Sequence, residues 1–166
     1  FRMPLYGGAP SAMGVRGALF GWIVARWVAA VGALGLLLAP FAWVATEILR
    51  VNTFFCFPWC LLGYSQADNA PIVQIARFGA VYAVSFLVVL ASSVLAYLAV
   101  EQDAARRRRA GLGLVLILAV VAADGLWRSR MALPETGRIR VGVVQASIPQ
   151  DEKWDEALAF SNLKQH

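Results

Sequence analysis

Cys56 and Cys60 are the two thiols of the chain, and His166 is its one imidazole. A thiolate beside a base attacks ester, thioester or amide carbonyls, so a Cys with a nearby His or Lys is the first nucleophile to look for. Neither cysteine has such a neighbour in sequence, and both lie in residues 54–66, an aromatic stretch without a charge. They read as small apolar fillers, a common role of free Cys, and not as nucleophiles. A disulfide across so short a spacing would strain the loop. Two Cys and one His also fall short of the four ligands of a structural zinc site, so no metal and no cofactor is expected.

Glu47 and Arg50 form the second constellation. They stand three apart, on one helix face, where a long uncharged run ends. They read either as an interfacial stop with a weak ion pair or as a polar post holding the segment that follows; spacing alone favours the first. That segment reads Phe-Phe-Cys-Phe-Pro-Trp-Cys-Leu-Leu-Gly-Tyr-Ser-Gln. Pro58 breaks any helix there. A soluble protein would put a polar turn between two apolar runs, so a loop this greasy implies a non-aqueous neighbour. Trp59 and Tyr64, each an apolar ring with a polar handle, suit a membrane interface.

The elements that must position these residues follow from composition. The chain has 166 residues, 60% hydrophobic and 15% charged, against about 25% charged in soluble domains. An integral membrane protein is the reading. The net charge of +5 comes largely from Arg106 to Arg109 and from arginines beside apolar runs. No basic face interleaved with aromatics accompanies it, which excludes a nucleic-acid partner. Apolar runs predict spans over about 15–30, 31–50, 77–100 and 111–127; the first, interrupted by Arg16 and Arg26, reads as the end of a span or a tilted helix. An aromatic loop over 52–70 and a basic loop over 101–110 join them. Four consecutive arginines beside a span mark a cytoplasmic loop, which puts the aromatic loop, and everything after the last span, on the far side. Arg128, Arg130, Arg138 and Arg140 crowd that far-side exit, against the usual bias.

Past Pro134 the texture changes. Residues 139–146 are short and rich in β-branched side chains, which predicts a buried strand. A turn follows at 147–149, then a water-exposed helix over 151–165. A membrane domain over 1–138 and the start of a soluble domain over 139–166 are expected. The first residue is Phe1 and the last residues look mid-helix, so the chain reads as a piece of a longer one.

Two patches carry a family likeness. Trp43-x-x-x-Glu47-x-x-Arg50, followed by Phe57-Pro58-Trp59 and Gly63-Tyr64-Ser65-Gln66, resembles the membrane domain of the apolipoprotein N-acyltransferase family. Val141-Gly142-Val143-Val144-Gln145, Ile148-Pro149-Gln150 and Lys153-Trp154-Asp155 resemble the opening of that family's nitrilase-like domain. The resemblance implies a mainly α fold: a multi-pass transmembrane helix bundle, then the first strand and helix of an α/β nitrilase-like sandwich. It implies a bacterial inner-membrane protein whose C-terminal domain faces the periplasm. It also implies transfer of an acyl chain from a membrane phospholipid to the N-terminal cysteine of a diacylated apolipoprotein. A Cys thiolate, a Glu acid–base and a Lys at the oxyanion carry that reaction in the family; all three are expected beyond His166, so this chain alone is expected to be inactive. By the same resemblance Phe57, Pro58 and Trp59 would help form the lipid access to the active site. Glu47 and Arg50 would brace that loop, and Trp154 would lie near the catalytic pocket. Cys56 stands where the family pattern has a smaller residue. Two rivals are a membrane-tethered nitrilase-type amidase and a transporter or channel fragment. The second is disfavoured because the longest uncharged run, Phe78 to Val100, holds no charged residue that could mark a transport path.

Overall fold

The computed structural model describes residues 9–52, 60–131, 137 and 140–143. The chain divides into two units, residues 1–131 and 132–166. In the second, residues 140–143 have no regular secondary structure, and Val141 and Val143 are exposed. These four belong to the strand expected over 139–146, and the rest of that stretch lies outside the described residues. The expected helix over 151–165 lies outside them.

The first unit is helical. Helix α1 spans Ala9–Val31, a 3-10 segment covers Gly32–Leu38, and α2 spans Ala39–Asn52. A second 3-10 segment, Leu62–Gln66, and the short α3, Ala70–Val73, follow; then come α4, Ala76–Val100, and α5, Ala104–Arg130. Three stretches are long and apolar enough to cross a membrane: Gly14–Asn52, Ala76–Val100 and Ala104–Arg130. The protein is a mainly helical membrane protein.

The first of these stretches doubles back. On one straight helix Phe20 and Trp43 would lie about 35 Å apart at 1.5 Å per residue. Their rings instead meet edge to face with centroids 5.1 Å apart. Residues 14–52 thus form two antiparallel limbs, and the 3-10 segment makes the bend. Helices α2 and α4 are antiparallel as well, since Phe41 meets Phe86 at 5.0 Å while Val44, a turn later on α2, shares a groove with Phe78 and Tyr82, earlier on α4. So are α4 and α5, because Arg77 pairs with Asp124 at 3.0 Å while Gly111 at the other end approaches Leu98.

Two sequence expectations change. The span over 77–100 is not one continuous helix: Gly79 (φ −159°, ψ 31°) and Ala80 (φ 52°, ψ −151°) break it. The straight part that remains, residues 81–100, still covers about 30 Å, the thickness of the hydrocarbon core. The basic loop over 101–110 is mostly helix. Asp103 caps α5 by accepting from the amides of Ala105 at 2.8 Å and Arg106 at 3.3 Å. Arg and Ala are strong helix formers, so the helix begins at Ala104 and only residues 101–103 turn.

Helix α4 is the centre of the packing. It buries Val84, Leu87, Val89, Val94 and Tyr97, and α2 adds Ala39 and Ala42. Helix α5 turns Leu112, Val115, Leu116 and Val120 outward, each more than half exposed. Apolar faces of that extent belong against lipid or another helix, not water. Helix α5 still approaches α3 closely at one point. A Cβ on Gly125 would overlap the Pro71 carbonyl, so only glycine lets these backbones meet there.

Candidate functional site

The site is built on one turn of α2. Trp43 and Glu47 stand four apart, so their side chains share a face, and the Trp43 indole Nε1–H donates to Glu47 Oε1 at 3.0 Å. Thr46 turns its hydroxyl back onto the Trp43 carbonyl at 2.7 Å. From α1, Phe20 meets the edge of the Trp43 ring, and the Arg16 guanidinium lies 4.8 Å from its centroid. This cation–π contact and the indole hydrogen bond together hold Trp43 in place.

Glu47 is completely buried, at 0% exposure. A carboxylate in such a place survives only when hydrogen-bonded or paired. Its Oε1 accepts a second hydrogen bond, from the Leu62 amide at 2.8 Å. The next amide, Gly63 N–H, donates to Ser85 Oγ of α4 at 2.8 Å. Two consecutive loop amides are therefore held by side chains from two different helices. Gly63 is obligatory here: a Cβ would stand 2.5 Å from the Val81 carbonyl oxygen and 3.1 Å from the Ser85 amide. Glu47 Oε2 is buried without a hydrogen-bond partner among the described residues. Arg50 follows on the same face, its guanidinium nitrogens also buried.

The chemistry of this arrangement is positional. Glu47 faces an indole N–H and a peptide N–H, which a carboxylate holds as acceptor but cannot usefully deprotonate. Between α2 and α4 lies an open apolar groove of about 340 Å³ lined by Val44, Ile75, Phe78, Gly79, Tyr82, Ala83 and Phe86. The break at Gly79–Ala80 forms part of its wall. Ion pairs flank the same end of the bundle: Asp124 meets Arg77 at 3.0 Å and Arg128 at 3.2 Å, and the Arg77 guanidinium covers the Phe78 ring at 4.2 Å. At the opposite end Glu101 accepts from the amides of Gln102 and Asp103 and from the Tyr97 hydroxyl. These bonds, the Asp103 amide first, hold its carboxyl below the usual carboxylate range. Among the described residues no group of three or more His, Cys, Asp or Glu converges to hold a metal ion.

Of the residues singled out from sequence, Glu47 and Arg50 lie together on α2. Phe57, Pro58, Trp59, Cys56 and Trp154 lie outside the described residues. Cys60 is a free, exposed thiol with a left-handed backbone, φ 58°. Tyr64 is half exposed on the second 3-10 segment. Sequence reasoning missed Ser85 and the contact of Arg16 with Trp43. A Ser within an apolar run carries no signal of its own, since it can bond its own helix as Ser92 does to Val88. Arg16 was visible only as a charge interrupting the first apolar run.

Comparison with known proteins adds a family to this geometry. A family model described as the apolipoprotein N-acyltransferase N-terminal domain matches residues 3–94. Among curated relatives, the apolipoprotein N-acyltransferase of Geobacter metallireducens is 36% identical over 121 residues, covering 70% of this chain and 23% of the relative. That of Methylococcus capsulatus is 35% identical over 164 residues, 90% of this chain and 31% of the relative. That of Chromobacterium violaceum is 31% identical over 147 residues, 87% and 28% respectively. The chain thus spans between 23% and 31% of the length of these relatives. No solved structure matches significantly.

Proposed function

The chain belongs to the apolipoprotein N-acyltransferase family, and from that premise we propose that it is the membrane-embedded part of an acyltransferase. The donor is a membrane phospholipid, and the acceptor is the α-amino group of a diacylated N-terminal cysteine on an apolipoprotein. The reaction forms a thioester on an enzyme Cys, releasing a lysophospholipid; the acceptor amine then attacks the thioester, forming the amide and freeing the thiol. Within this chain the residues serve access and positioning. Phe57, Pro58 and Trp59 line the lipid's way in, Glu47 and Arg50 brace the loop that carries them, and Trp154 packs near the catalytic pocket in a nitrilase-like domain that begins near residue 139. The arginine run at 106–109 faces the cytoplasm and the loop faces the periplasm, by the bias of basic residues toward the inside.

The observation that supports this best is one buried carboxylate. The family match covers residues 3–94, and within it Glu47, wholly desolvated, is spent on the Leu62 amide three residues past Trp59. An ionisable group kept inside a membrane bundle marks a functional region. The test is acyl transfer by the intact polypeptide that carries this chain, given a phospholipid with a labelled acyl chain and a diacylated cysteinyl peptide. Label appearing in amide linkage on the peptide N-terminus is the expected result. Hydrolysis of simple amides with no labelled peptide would overturn it in favour of a membrane-tethered amidase.

A further inference from the structure

The contact of Ser85 with Gly63 has no counterpart in the sequence pattern, and it completes what Glu47 begins. A single hydrogen bond would leave the loop free to rotate about that point. Bonds to two consecutive amides, from α2 through Glu47 and from α4 through Ser85, fix both position and register. Both bonds measure 2.8 Å, and both acceptor residues are wholly buried, at 0% exposure. The Gly63 backbone sits directly against the Val81 carbonyl, so the loop cannot slide along α4 without leaving this seat. Leu61, the preceding residue, is buried as well. Trp59 is two residues before that in sequence, so whatever orients Leu61 to Gly63 also limits where Trp59 can reach.

We infer that Ser85 is a positioning residue: together with Glu47 it pins the segment following Phe57-Pro58-Trp59, and thereby sets the geometry of phospholipid access. The positioning part rests on the acyltransferase reading above; the pin itself does not. The Ser85 hydroxyl acts only as an acceptor toward Gly63 and takes no part in bond making.

The experiment compares Ser85→Ala, Ser85→Thr and Ser92→Ala in the intact, detergent-purified polypeptide. Ser92 is a control on the same helix, whose hydroxyl bonds to its own Val88 carbonyl and, among the described residues, to no loop amide. Hydrogen–deuterium exchange is read on the peptide containing Leu62 and Gly63, and acyl-transfer kinetics are read with the phospholipid donor varied. Ser85→Ala strands a buried N–H and should speed exchange of that peptide about tenfold or more. It should also raise KM for the donor several-fold with a smaller change in kcat. Ser85→Thr, which keeps the acceptor, should restore most of both, and Ser92→Ala should change neither. Unchanged exchange in Ser85→Ala overturns the pin. Faster exchange with unchanged KM and kcat overturns the positioning role. If the unsubstituted polypeptide transfers no acyl group, the acyltransferase reading and the positioning role fall together, while the exchange data still decide the pin.

Discussion

Removing the Glu47 side chain strands two donors at once, the Trp43 indole and the Leu62 amide. A buried donor left without its acceptor costs about 1–3 kcal/mol, so Glu47→Ala should lose roughly 2–4 kcal/mol of stability in detergent, less than a doubled cost because neighbours relax. Glu47→Gln keeps an acceptor oxygen for both donors, while the charge is lost and an NH2 replaces Oε2. It should lose clearly less, and thermal unfolding of the two variants side by side checks this. If both lose equally, the charge and its field on Arg16 and Arg50 matter more than the hydrogen bonds. That Glu47 and Arg50 share a helix face was legible in their spacing. What Glu47 holds is a backbone amide fifteen residues away; a contact at that separation leaves no periodic trace. Ser85 was illegible for the same reason, since its partner lies 22 residues back.

Helix boundaries set the next scale. Apolar runs between charges located the membrane segments, because length and hydropathy alone decide what can cross hydrocarbon. They could not show that a 3-10 segment forms the bend between α1 and α2, or that α4 breaks at Gly79–Ala80, because both depend on contacts. The arginine run misled in the other direction. Charge marks the edge of the bilayer but does not stop a helix, and α5 runs past it to the Asp103 cap. Two tests belong here. Gly125→Ala would drive a methyl into the Pro71 carbonyl and should cost about 1–3 kcal/mol, read as a lower unfolding temperature; no loss would mean that α3 and α5 do not meet as described. Glu101 supplies a pH dependence. Its folded carboxyl is held below the usual range by the Asp103 amide, the Tyr97 hydroxyl and the Gln102 amide. A depressed folded value means that the stabilisation is present above the unfolded value, about 4.3 for Glu, and is lost as pH falls through the lower folded one. Glu101→Ala should therefore be less stable than the unsubstituted chain at neutral pH, and the gap should close on acidification below about pH 4. A gap independent of pH would contradict this.

Across the molecule, the membrane reading explains features that water would not tolerate. The outward face of α5, the apolar groove between α2 and α4, and the exposed Phe41 and Phe78 are all suited to lipid. The buried Glu47 and the partly buried Arg16 sit toward the loop end of the bundle. Antiparallel pairing of α1 with α2, α2 with α4, and α4 with α5 places the loop at 60–75 at one end and the turn at 101–103 at the other. The most direct test of this arrangement uses single cysteines in a Cys56→Ser, Cys60→Ser background. Asp68→Cys and Arg107→Cys, both exposed positions, are treated with an impermeant maleimide in sealed membrane vesicles of known orientation. The account predicts that the two label from opposite faces, Arg107→Cys from the cytoplasmic one; labelling of both from the same face would contradict it.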